Sequence, residues 1–137
     1  MLAENLSYAL VQVLHNFGAA GVIAVPLFAL ATGQAWMEQR RRLLWLALLA
    51  WLVQSLSGSG FGAVSYSFYE RLPDLTGVAL VALGIKITST LIAIALTIVA
   101  LRTRTQHSAA FYRHSWQTLA GLGILALTAA AFLRWFS

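Results

Sequence analysis

Two groups capable of proton, ligand or charge chemistry lie inside apolar stretches of this chain: His15 within "LVQVLHNFGAAGVIAV" and Lys86 within "LVALGIKITSTLIAIALT". An imidazole can exchange a proton, hydrogen-bond a ligand or coordinate a metal. An ammonium group can balance an anion, and the neutral amine can act as a base. Amides and hydroxyls accompany both: Gln12 and Asn16 beside His15, Ser89 and Thr90 just beyond Lys86, and Gln54 at the head of "QSLSGSGFGAV". The carboxylates Glu4, Glu38, Glu70 and Asp74 all fall outside these stretches, so the sequence offers Lys86 no counter-charge nearby.

The elements that must position these groups follow from composition. The 137 residues are 60% hydrophobic and 9% charged with a mean hydropathy of +0.78, too little polar surface to cover a water-soluble globule. Runs of about 20 apolar residues cross the hydrocarbon core as helices, and four are present: Leu6–Ala31, Leu43–Val64, Gly77–Leu101 and Ser115–Phe136. This predicts an all-α integral membrane protein, one domain over residues 1–137. The short connections favour a four-helix up-down-up-down bundle. The first run follows "MLAEN", which carries Glu4 where a signal peptide has basic residues, so it is expected to remain in the mature chain. With no cysteine, disulfides and thiolate metal sites are excluded.

The net charge of +5 is distributed as topology rather than as a nucleic-acid footprint. Arg40, Arg41 and Arg42 precede the second run, and Arg102, Arg104 and Arg113 lie between the third and fourth, whereas the middle connection balances Arg71 against Glu70 and Asp74. By the positive-inside rule the arginine-bearing connections are cytoplasmic and both termini are outside. The lipid bilayer is then the main partner, with the arginines near anionic headgroups. Trp36, Trp45 and Trp116 at the inner boundary, and Tyr66, Tyr69 and Trp135 at the outer one, are expected to form interfacial belts.

Orientation supplies depth. His15 and Lys86 each lie nine residues into their runs, roughly 14 Å at about 1.5 Å per residue, on helices expected to be parallel. Tyr8, Gln12, His15 and Ala19, with Asn16 beside them, form one helical stripe, and Lys86, Ser89, Thr90, Ala93 and Thr97 another. Both stripes are expected to face the bundle interior. Gln54, Ser55, Ser57 and Ser59 concentrate polarity in the outer half of the second helix, where Gly58 and Gly62 permit close packing. A lysine at helix centre costs about 2.5–3.5 kcal/mol on insertion scales. It must therefore be a neutral amine, sit in a polar cage from Gln54, Ser89 and water, or meet an acid from a ligand or another subunit. Pro26 is expected to kink or loosen the first helix near Val22, and His107 and His114 fall in the cytoplasmic connection, away from the site.

From Leu43 onward, a helix ending in small polar residues, a short outer loop, "LTGVALVALGIKITSTLIAIALTIVALRTR" and a last helix together resemble the membrane domain of copper-resistance D proteins. A first-helix histidine with a third-helix lysine also resembles the small four-helix protoporphyrinogen oxidase of bacterial haem synthesis. The residues carrying these likenesses are chiefly His15, Gly84 and Lys86. The resemblances imply copper uptake, or haem-pathway oxidation, at a bacterial-type inner membrane. Copper(I) conduits want soft sulfur ligands, and the only methionines are Met1 and Met37. A bis-histidine haem would need a second intramembrane imidazole, or a homo-oligomer offering two copies of His15. The expected function is therefore binding of a redox cofactor or quinone-like ligand, haem b first and a quinone second, at an outer-half site of His15, Lys86, Gln12, Asn16, Gln54 and Ser89, with a copper-uptake protein as one alternative. In that reading His15 is the metal ligand or hydrogen-bond donor and Lys86 the counter-charge. The other alternative is a non-catalytic accessory subunit of a larger membrane complex, its Lys86 paired with a partner carboxylate.

Overall fold

The computed structural model describes residues 1–33, 36–71, 75–102 and 108–136. Asp74, Arg104 and His107, and the side chains of Trp36 and Met37, lie outside the described residues. Four helices make up the fold: α1 (Leu2–Ala31), α2 (Trp36–Tyr69), α3 (Gly77–Arg102) and α4 (Ala109–Phe136). All four are long and apolar enough to cross a membrane. Helices α1, α2 and α4 extend past the apolar runs to include Glu4, Arg40, Arg41, Arg42 and Arg113. A helix satisfies its own backbone hydrogen bonds and so need not stop where the apolar run gives way to charge. Pro26 sits inside α1 without interrupting it and is buried, as membrane helices tolerate.

Packing inverts the pattern of a soluble bundle. Leu6, Leu10, Leu14, Phe17, Leu80, Val81, Leu91 and Ile124 are exposed, while Ala29, Ala47, Ala79, Ala93, Ala100 and Ala126 are buried. Small residues between helices let backbones approach, and bulky apolar ones on the outside suit lipid. The closest approach is between α1 and α2: a Cβ on Gly18 would lie 2.9 Å from the backbone nitrogen of Gln54, and one on Gly21 2.8 Å from the Ala50 Cβ. Contacts descend α2 as they ascend α1, from Glu4 with Tyr69 and Val11 with Gly60 to Gly18 with Gln54 and Gly21 with Ala50, so α2 runs back along α1. Helix α4 meets α1 where Gly123 abuts Val22 and Ile23.

Large side chains gather at the arginine-rich end. Trp51, Trp116, Tyr112, Leu44 and Leu119 form the core there with Val22, Ala93 and Ala100, and the Arg40 guanidinium stacks 4.5 Å above the Tyr112 ring. Trp116 corrects an expectation: it is 0% exposed and belongs to the core, not to an interfacial belt. Because α4 begins at Ala109, Trp116 is two turns inside the helix instead of at its mouth. Trp45, Tyr66, Tyr69 and Trp135 do stand exposed. Toward the other end the bundle loosens. Among the described residues, α1 buries nothing before Gly18 and α2 nothing after Ser57, although α3 and α4 continue with buried Ala79, Ala82, Ala126 and Ala129.

Candidate functional site at the base of the open half

His15 lies where the packed half gives way to the open one. Gln54 and Ser57, three residues apart on α2, present side chains on one helical face toward it, and Gly58 leaves room, since a Cβ there would stand 3.6 Å from the imidazole Cε1. Phe61 closes one side, its ring edge-on to the imidazole at 5.4 Å between centroids. From α3, Lys86 reaches across so that its Nζ is 3.3 Å from His15 Nε2.

The hydrogen-bond count assigns the imidazole its tautomer. Ser57 Oγ donates its one proton to the Val53 carbonyl at 2.6 Å, so toward His15 Nδ1, 2.9 Å away, it can only accept. In that pattern Nδ1 carries the ring hydrogen and Nε2 presents a lone pair; with the Ser57 proton on Nδ1 instead, the tautomer and the Gln54 amide would both be reversed. Two donors converge on that lone pair, Gln54 Nε2 at 3.1 Å and Lys86 Nζ at 3.3 Å. The arrangement leaves two imbalances. Gln54 is 2% exposed and, among the described residues, its Oε1 has no hydrogen-bond partner. Among the described residues the Lys86 ammonium makes no hydrogen bond besides the one to His15, and no carboxylate pairs with it. A buried acceptor without a donor is costly in a low-dielectric interior, and so is a cation without an anion, which leaves Lys86 either a neutral amine or in need of an acid from outside the cluster.

The structure brings together His15, Lys86 and Gln54 of the expected site. Ser89 is buried one turn past Lys86 but makes no hydrogen bond to the cluster among the described residues. Gln12 and Asn16 do not join it: Gln12 Nε2 donates to Asn16 Oδ1 at 2.7 Å, and both side chains are exposed. The buried strip of α1 is Gly18, Val22, Pro26 and Ala29, and His15 lies on its extension, whereas Gln12 and Asn16 are turned toward its flank. Ser57 is the functional contact that reading the sequence did not select; its spacing of three from Gln54 was the available signal. His114 is exposed and bonds the Ala110 carbonyl of its own helix at 2.7 Å.

For a metal or haem the donor set is poor. Among the described residues there is no group of three or more His, Cys, Asp or Glu able to hold a metal ion. His15 Nε2 has the second-shell support that metal-binding imidazoles receive, an Nδ1–H held by an acceptor, but Gln54 and Lys86 occupy the direction in which iron or copper would have to bind. The arrangement suits an oxygen atom better, one that accepts from Lys86 and Gln54 in place of the imidazole nitrogen. No family model, no curated protein and no solved structure matches the chain, so the reading of this site rests on its own geometry.

Proposed function

We propose that this chain is a multi-pass protein of a bacterial-type inner membrane, folded up-down-up-down with both termini on the outer face, that binds a lipid-soluble ligand through an oxygen presented to Lys86. The orientation follows from the arginines at one end of the bundle. The observation that carries the ligand is Lys86, whose ammonium spends one hydrogen on His15 and has no carboxylate among the described residues. A carboxylate, a phenolate or a quinone carbonyl supplies the missing acceptor. Quinone-like ligands fit this donor set, whereas haem does not, because its iron would have to displace both donors from Nε2. Copper transport gains nothing from a site with one imidazole and no sulfur. The resemblance to copper-resistance D and protoporphyrinogen oxidase membrane domains rests on the sequence positions of His15, Gly84 and Lys86 alone.

The test is titration of the detergent-purified protein with decylubiquinone, followed by visible absorption and by tryptophan fluorescence. Saturable binding without a Soret band is expected. Lys86→Met removes the charge without leaving a buried polar group, so the helices should still assemble. Losing a hydrogen bond from a charged donor to a carbonyl costs about 1.5–3 kcal/mol, which predicts roughly ten- to hundredfold weaker binding. A Soret band would replace this ligand class with haem, and full affinity in Lys86→Met would remove the lysine from the site. The same uncompensated ammonium supports a second reading, an accessory subunit whose Lys86 pairs with a partner's carboxylate. Mass analysis of the intact assembly distinguishes the two: a stoichiometric larger complex that dissociates in Lys86→Met favours the subunit.

A further inference from the structure

The contact between α1 and α4 has a register that can be followed beyond the point where the helices touch. Gly123 meets Val22 and Ile23 so closely that an added Cβ would lie 2.9 Å from the Ile23 side chain and 3.0 Å from the Val22 carbonyl. Residues at i, i+4, i+7 and i+11 share one helix face, so Gln12, Asn16, Ala19 and Ile23 form the strip of α1 that runs away from this contact. Along it burial falls off: Ile23 and Ala19 are half-buried, Asn16 and Gln12 exposed. On α4 the corresponding strip is Gly123, Leu127, Ala130 and Arg134, and it behaves alike, passing from buried through half-buried to exposed. The other flank of α4, with Ala126 and Ala129, stays buried. Burial of both facing strips therefore falls away above Gly123, as it does where two helices diverge.

The Arg40–Tyr112 and Val22–Gly123 contacts show α4 ascending as α1 descends. Arg134 and Gln12 each lie eleven residues from the contact, about 16 Å along their helices, and so stand level, a few ångströms above His15. Gln12 and Asn16 spend one hydrogen bond on each other and keep further amide donors for the gap. Arg134 makes no hydrogen bond or ion pair among the described residues. The one carboxylate on α1, Glu4, accepts from the Tyr69 hydroxyl and lies about two turns above Gln12.

We infer that the parting of α1 from α4 is a lateral entrance from the bilayer to the His15–Lys86 site, rimmed by Gln12, Asn16 and Arg134, and that it admits an amphiphile with an anionic head, a carboxylate or a phosphate. Two cations at successive depths, Arg134 and Lys86, without a free carboxylate between them, match one anionic head moving inward while its tail stays in lipid. The inference rests on the reading of His15 and Lys86 as a ligand site, and it adds charged amphiphiles to the oxygen ligands that this site accepts.

Because the chain lacks cysteine, the opening can be tested without any ligand. In bilayers, Asn16→Cys with Ala130→Cys should bridge through a long bis-maleimide but not through a direct disulfide; rapid, complete disulfide formation would show the gap closed and overturn the entrance. For the occupant, the probes are diazirine-bearing palmitate and its methyl ester. The acid should label the Gln12–Ile23 and Gly123–Arg134 strips at least fivefold more than the ester, and Arg134→Gln should abolish that preference. Competition by phosphatidylglycerol would assign the head to a phospholipid phosphate, and its failure to compete would assign a free carboxylate. Labelling indifferent to charge and to Arg134→Gln overturns the inference. If decylubiquinone then still binds in a Lys86-dependent manner, the site stands without this entrance; if it does not, the site reading fails as well.

Discussion

At the arginine-rich end, Trp51, Trp116, Tyr112 and Leu44 fill the space between helices, whereas at the other end α1 before Gly18 and α2 after Ser57 contribute no buried residue among those described. The same four helices therefore make a packed half and an open one. Helices in lipid gain little from burying apolar surface against each other, because lipid tails are as apolar as leucine, and association depends on van der Waals packing and hydrogen bonds. Large rigid rings supply the first in one half. The open half has a narrow α1–α2 seam of glycines, a pair of exposed amides and, at its base, a polar cluster whose charge is not compensated. The aromatic core thus lies at one end, and the His15–Lys86 cluster sits on the boundary between the two halves.

Substitutions of graded severity probe this division. The largest loss is expected from Trp116→Ala, which empties the centre of the packed half; about 3 kcal/mol or more is the usual scale for a buried tryptophan, measured by denaturant unfolding in mixed micelles. Only a small loss there would mean that the aromatic core is not what holds the bundle. Gly18→Val acts at the waist, driving a side chain against the Gln54 backbone. It should cost about 1–3 kcal/mol and weaken decylubiquinone binding too, since the same shift moves Gln54 off His15. Ser57→Ala removes the acceptor at His15 Nδ1 for about 1 kcal/mol. Its sharper signature is the imidazole tautomer: nitrogen NMR should show Nδ1–H in the parent protein and a mixed population in the variant. Gly84→Leu is expected to change stability by less than about 0.5 kcal/mol, because a Cβ there meets nothing within 4 Å; a large effect would reveal a partner surface on α3.

How much of the site could be read from the sequence depended on what each residue's position requires. A lysine or histidine inside an apolar run is visible because insertion makes it expensive, so His15 and Lys86 stood out, as did Gln54 as the first polar group in its apolar run. Gln12 and Asn16 were assigned to the interior from a stripe that His15 shares. Helical positions one turn apart differ in direction by tens of degrees, enough to move a side chain from the buried strip to its flank. Trp116 was placed at the membrane surface because its run of apolar residues begins at Ser115, whereas the helix starts six residues earlier, at Ala109.

Composition and periodicity by themselves determined that the chain is helical, that four segments are long and apolar enough to span a membrane, and that an ammonium group lies at depth without a carboxylate in any of those segments. These follow from transfer free energies and helix geometry, which act on each segment locally. Which groups meet was decided only by tertiary structure. The contacts of His15 with Gln54, Ser57 and Lys86 join residues 39, 42 and 71 positions apart on three helices. They depend on how closely Gly18 lets α1 approach α2 and on where α3 places Lys86 against that pair. Those distances depend on side chains from several helices at once, so no one segment specifies them.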